Sequence, residues 1–170
     1  MIPIECYYTD HFVNQTVVQF FSKSIGVPLF KMSEYKHSKK IFSSYGILRG
    51  TGDILRKINK NFIYIDHGYF LASSRKFTKE RNTVLTSLDG YFRIIKDDLY
   101  FNNYNSINDK RRFDKLNIDL KEKKNGDKII LSEPTKNTLD FLGLENWAEE
   151  TIEKIKKYTD REIIIHNKFS

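Results

Sequence analysis

Cysteine is nearly absent from this chain: Cys6 is the only one in 170 residues. One thiol cannot form an intramolecular disulfide or a Cys-based zinc site, and its apolar, aromatic surroundings read as those of a buried structural thiol. No apolar run approaches the ~20 residues that a membrane span needs. The opening MIPIECYYTD has neither a basic n-region nor an apolar h-region, so a cytoplasmic protein without a membrane span is expected. His11 and His37 lack companions at metal-ligand spacing, which predicts no metal site. Neither a G-x-G-x-x-G fingerprint nor a P-loop occurs, and there is no internal repeat or low-complexity linker.

A hydrophobic content of 39% with 14% aromatics is too high for a disordered polymer and enough for a packed core. Lys and Arg number 29 against 22 Asp and Glu, giving a net charge of +7. That excess favours polyanions or phosphorylated ligands through long-range attraction. Because the two signs interleave without a pure basic block, a solvated lysine surface inflated by AT-rich coding accounts for it equally well.

Residues 2–8 alternate and carry β-branched and aromatic side chains, predicting a first strand. Val13, Val17, Phe20, Phe21 and Ile25 recur at helical spacing, with Thr9 or Asp10 as the cap and Gly26 as the stop. From Pro28 to Ser44 the pattern weakens around the basic EYKHSKK segment. A short helix is predicted over Asp53–Ile58. Phe62–Ile65 is wholly apolar, as a strand buried on both faces of a parallel sheet should be. Residues 71–90 are polar, basic and aperiodic and read as a surface insertion, after which YFRII resumes a strand. The KEKKNGD turn marks the boundary between a Rossmann-like α/β domain, 1–124, and a βαβ unit, 125–170. In that unit strands over 128–131 and 162–165 flank a helix with the apolar stripe Leu144, Trp147, Ala148, Thr151, Ile152 and Ile155.

Functional candidates cluster at predicted strand ends, where α/β proteins place ligand chemistry. Asp66 and His67 follow the buried strand; either side chain suits a general base, or both fix a turn. Gly68, followed by Tyr69, lets a ligand or a neighbouring backbone come close. Arg49 is flanked by Gly50 and Gly52, which suits an anion site or a plain surface turn. Arg93 pairs either with Asp66 or with a ligand phosphate. Ser132 and Thr135 occupy the first turn of the βαβ unit, and His166 and Lys168 end its second strand on the same edge.

The ordered set GILRG, FIYIDHGYF, YFRI and KIILSEPT…IKKYTDREIIIHNK resembles a family of phage and marine-virus proteins described as glycosyltransferases with a GT-B-like plan. The likeness runs from about Tyr45 to Lys168 and lies in the order of the segments, since no single motif is diagnostic. Glu162 stands where a proline is usual, and the 71–90 insertion is extra. The family continues with further βα units beyond the last strand here. The resemblance therefore implies a shortened relative, half of a split enzyme completed by a partner subunit or a second copy, or a non-catalytic binding protein. It also implies a nucleotide-sugar donor, a hydroxyl acceptor and no other cofactor. In that picture Asp66 or His67 activates the acceptor, and Arg49, Arg93 and the Ser132–Thr135 loop steady the phosphate. The alternative is a nucleic-acid-binding or anti-defence protein using the basic residues Arg75, Lys76, Lys79 and Arg81.

Overall fold

A computed structural model describes residues 3–68, 75–77, 84–86, 90–100, 111–119, 121–122 and 126–166. The chain divides into two compact units, Met1–Asn117 and Ile118–Ser170.

The first unit begins with β1 (Ile4–Tyr8), α1 (Phe12–Ile25), β2 (Leu29–Lys31) and a 3-10 turn at Met32–Glu34. It continues through β3 (Ile41–Tyr45), α2 (Thr51–Ile58) and β4 (Phe62–His67). Two short strands, β5 (Arg75–Phe77) and β6 (Val84–Thr86), precede β7 (Phe92–Lys96) and the single turn α3 (Arg111–Asp114). The main sheet has the order β2-β1-β3-β4-β7. Its first four strands are parallel and β7 closes the edge antiparallel to β4. This is an α/β protein with a mostly parallel five-stranded sheet and flanking helices, of the Rossmann-like kind. The chain passes from β1 outward to β2 and from β3 outward in the opposite direction to β4. For right-handed crossovers that reversal puts α1 and α2 on opposite faces.

The core follows from the pattern. Val13, Val17 and Val18 of α1 pack on Cys6, Tyr45 and Ile65, all of them buried. Burial pushes the Cys6 thiol up to about 11, so it stays protonated and inert. Gly26, at φ 66°, ends α1 in the left-handed conformation and donates its N–H to the Ser22 carbonyl. The start of α1 differs from expectation: His11 is the cap residue and no side chain caps the helix.

A larger difference is β3, which sequence patterning does not reveal. Ser43 and Ser44 occupy the middle of this interior strand at 0% and 1% exposure. Ser44 Oγ donates to the Tyr7 carbonyl at 2.7 Å, which satisfies one hydroxyl inside the sheet. Within the 71–90 insertion, β5 and β6 pair antiparallel, where no regular element is predicted.

The second unit is a parallel pair, β8 (Lys128–Ser132) and β9 (Glu162–His166), connected through α4 (Lys136–Leu142) and α5 (Trp147–Lys156). The predicted single helix is thus preceded by a second, which Gly143 ends at φ 66°. The predicted apolar stripe of α5 is its half-buried side. Glu149 and Glu150 sit in its first turn and Lys154 and Lys156 in its last, matching the helix dipole. Among the described residues, no helix is long and apolar enough to cross a membrane.

Candidate functional site

In a doubly wound sheet the carboxyl ends of two neighbouring strands part company where the winding reverses, leaving a crevice. Here the reversal lies between β1 and β3. A cavity of about 590 Å³ opens at this carboxyl edge, lined by residues 8–11 from the last residue of β1 onward, 31–33 from the last residue of β2 onward, and Arg49 after β3. One buried amide holds its floor together. Asn14 of α1 accepts the Thr9 N–H at Oδ1 (2.7 Å) and donates from Nδ2 to the Tyr45 carbonyl (2.7 Å). It thus ties the end of β1 to the end of β3 at 4% exposure. The amide of Thr9, a predicted cap residue, is spent on this clamp, and its buried hydroxyl has no partner.

The lip is the turn between β3 and α2. Gly46, Arg49 and Gly50 all have positive φ, at 72°, 60° and 86°. Gly50 caps α2 by its backbone, and the turn closes through Gly52 N–H to the Ile47 carbonyl at 3.0 Å. Four other non-glycine residues among those described have positive φ, namely Asn59, Asn61, Asp97 and Asn117. Those are the residue types that tolerate this conformation; arginine is not. A left-handed Arg49 costs on the order of 1 kcal/mol relative to an ordinary backbone. Neither the Arg49 guanidinium nor the Lys31 ammonium has an ion-pair partner among the described residues, although the Lys31 N–H donates to Glu34 Oε2 at 2.7 Å and Asp10 lines the same cavity. The crevice therefore presents two uncommitted cations, a carboxylate at Asp10 and the imidazole of His11 around one opening.

The other predicted residues lie elsewhere. β4 does not stop at Ile65: Asp66 and His67 continue it, paired with Arg93 and Phe92 of β7. Because successive side chains of a strand leave opposite faces, the expected acid–imidazole pair is split across the sheet. Asp66 accepts hydrogen bonds from Tyr64 Oη (2.6 Å), Arg93 Nη2 (2.8 Å) and the His67 N–H (2.8 Å). Burial first, and then the Asp66 charge, push the Tyr64 phenol well above its ordinary range. The Arg93 guanidinium also lies over the Tyr64 and Tyr100 rings, 5.7 and 5.8 Å from their centroids. Of the two partners foreseen for Arg93, Asp66 is the one it meets. On the other face His67 stacks on Phe92 at 5.7 Å and meets the Tyr45 ring edge-on at 5.6 Å. At Gly68 an added Cβ would lie 2.8 Å from the Tyr91 carbonyl oxygen, so a neighbouring backbone uses the space that glycine leaves. Tyr69 and Lys168 lie outside the described residues.

In the second unit Ser132 and His166 are directly paired at the carboxyl end of β8 and β9. Thr135 precedes α4 and its hydroxyl lies 3.0 Å from that of Thr138.

Of the residues lining the crevice, Thr9, Asp10, His11 and Lys31 are polar ones that sequence reasoning does not select as site residues, and the Asn14 clamp beside them is not selected either. A signal is nonetheless present: Thr9-Asp10-His11 is a polar cluster between a strand and a helix, the same kind of pattern that singles out Asp66-His67-Gly68. Comparison with family models, with curated proteins and with solved structures finds no match.

Proposed function

We propose that the first unit binds a phosphate-bearing ligand of the nucleotide-sugar class in the crevice between β1 and β3, and acts in glycosyl transfer to a hydroxyl acceptor. The observation that carries this reading is Arg49, a cation without a carboxylate partner among the described residues, held in a costly left-handed backbone at the lip of the crevice. Strain at a ligand-facing residue persists where the ligand needs that geometry. Arg49 and Lys31 offset the charge of a diphosphate, and Arg49 offers the fork that matches two phosphate oxygens. As the bond from the anomeric carbon to the phosphate oxygen breaks, the phosphate departs with the electron pair, and these cations stabilise it. The acceptor oxygen bonds to the same carbon and releases its proton to a base. Asp10 takes that role here, because it lines the crevice while Asp66 is engaged by three donors. A GT-B-like plan belongs to the same proposal.

Calorimetric titration with uridine diphosphate and a panel of nucleoside-diphosphate sugars tests it. Binding is expected, and Arg49→Ala should weaken it at least tenfold, about 1.4 kcal/mol. Asp10→Asn should abolish transfer with little change in donor affinity. A panel that gives no heat with the intact chain would remove the proposal.

A further inference from the structure

The amino edge of the same sheet holds a second cavity, of about 450 Å³, at the opposite end of the strands from the crevice. Its interior is aromatic. Tyr7 stacks on Phe42 with centroids 5.3 Å apart and planes at 17°, and Tyr35 stands edge-on to both, at 5.2 and 5.3 Å. Tyr7 and Phe42 are buried, whereas Tyr35 is only partly covered and belongs to the wall.

Its charge is unevenly committed. Glu5, the one carboxylate in the lining, accepts hydrogen bonds from Lys40 Nζ (2.6 Å) and Tyr7 Oη (2.8 Å). The bond from Lys40 draws the Glu5 carboxyl below its ordinary value, so the pair stays ionised and largely cancels. Lys39 and Lys60 also line the cavity, and neither has a carboxylate partner among the described residues. They come from separate connections, the loop before β3 and the turn before β4. Asn59 and Asn61 shape that turn, both with positive φ, as asparagine tolerates. Ser38 and Asn61 add neutral hydrogen-bonding groups.

An aromatic wall, two uncommitted lysines from different segments, and an amide with a hydroxyl match the parts of one ligand. A flat base packs against Tyr35 and hydrogen-bonds to Asn61 or Ser38, and its phosphate lies near Lys39 and Lys60. The volume falls within the range of small-ligand sites. We infer that the cavity at the amino edge is a nucleotide-binding site, separate from the crevice between β1 and β3. The same chemistry is offered by a free nucleotide and by one nucleotide of a single strand.

Fluorescence anisotropy of the full chain with a fluorescein-labelled single-stranded oligothymidylate tests this, with thymidine monophosphate as unlabelled competitor. The double variant Lys39→Ala/Lys60→Ala should weaken oligothymidylate binding at least tenfold. It should also flatten the dependence of log affinity on log salt, by about 0.7 for each phosphate that is no longer neutralised. Arg49→Ala, at the other edge, should leave this binding unchanged. Full competition at millimolar monophosphate identifies a free nucleotide as a sufficient ligand; competition only by unlabelled oligothymidylate identifies a strand. Both lysines are exposed, so the variant is expected to fold, and an unchanged thermal midpoint verifies that. No binding by the intact chain, or binding untouched by the double variant, overturns the inference. Neither result bears on uridine diphosphate binding at Arg49.

Discussion

Two Asp-His dipeptides sit near the ends of parallel strands in this molecule, and they have different fates. Asp10-His11 lies beyond β1, where the winding reverses, and both residues line an open crevice. Asp66-His67 lies inside the ladder between β4 and β7, its two side chains on opposite faces. One of these is held by Tyr64 and Arg93 and the other by Tyr45 and Phe92. Residue type is the same in both places. What differs is whether a neighbouring strand still claims the backbone, and that is a property of topology.

The sharpest way to break this contrast is to remove the clamp that shapes the crevice. Asn14→Ala leaves a buried N–H at Thr9 and a buried carbonyl at Tyr45 without side-chain partners. It should cost about 2–6 kcal/mol in urea unfolding, since each of the two groups that lose this partner costs about 1–3 kcal/mol. A loss below about 1 kcal/mol would mean that water replaces the amide and that Asn14 does not organise the site. At the other dipeptide, Gly68→Ala drives a Cβ to within 2.8 Å of the Tyr91 oxygen. The β4–β7 end must shift, and a cost of about 1–3 kcal/mol is expected from the unfolding midpoint. Uridine diphosphate affinity should not change, which separates the packed end of β4 from the crevice end of β1.

A smaller effect concerns pH. The folded state raises the Cys6 thiol from 9.0 to about 11, so it binds a proton that the unfolded chain has already released. The stability from keeping that thiol neutral is complete below about pH 9 and is lost as pH rises towards 11. The raised Tyr64 phenol acts in the same direction at still higher pH. Unfolding free energy should therefore fall on the alkaline side, and Cys6→Ser should flatten the part of that fall between pH 9 and 11.

Much of the fold is legible in the sequence. The solid run of β4 and the half-buried stripe of α5 are legible because each is a local pattern. The periodicity of α1 reports Val13 and Val17 correctly but not Phe20, which is 59% exposed, while Val18 beside the stripe is buried. β3 is not legible, since Ser43 and Ser44 read as surface residues although the sheet buries them and Tyr7 satisfies one hydroxyl. That omission has a consequence for the site. Without β3 between β1 and β4, the reversal of winding cannot be placed, and the polar residues after β1 look like a helix cap. Arg49 is legible because its glycine neighbours mark an unusual backbone. Asp66 and His67 stand out by composition, but β7, which pairs with them from residues 92–96, joins the sheet only after a long excursion. The strand pairing that encloses Asp66 and His67 is non-local, and no window of sequence contains it.

The most direct measurement replaces Arg49 with glycine. Glycine takes a φ of 60° without strain, so removing on the order of 1 kcal/mol of strain should roughly offset the entropy that glycine costs. The expected variant is as stable as the parent, or more stable by up to about 1 kcal/mol, and its affinity for uridine diphosphate has fallen at least tenfold. A variant that binds uridine diphosphate as tightly as the parent would contradict this, because the strained arginine would then serve no ligand.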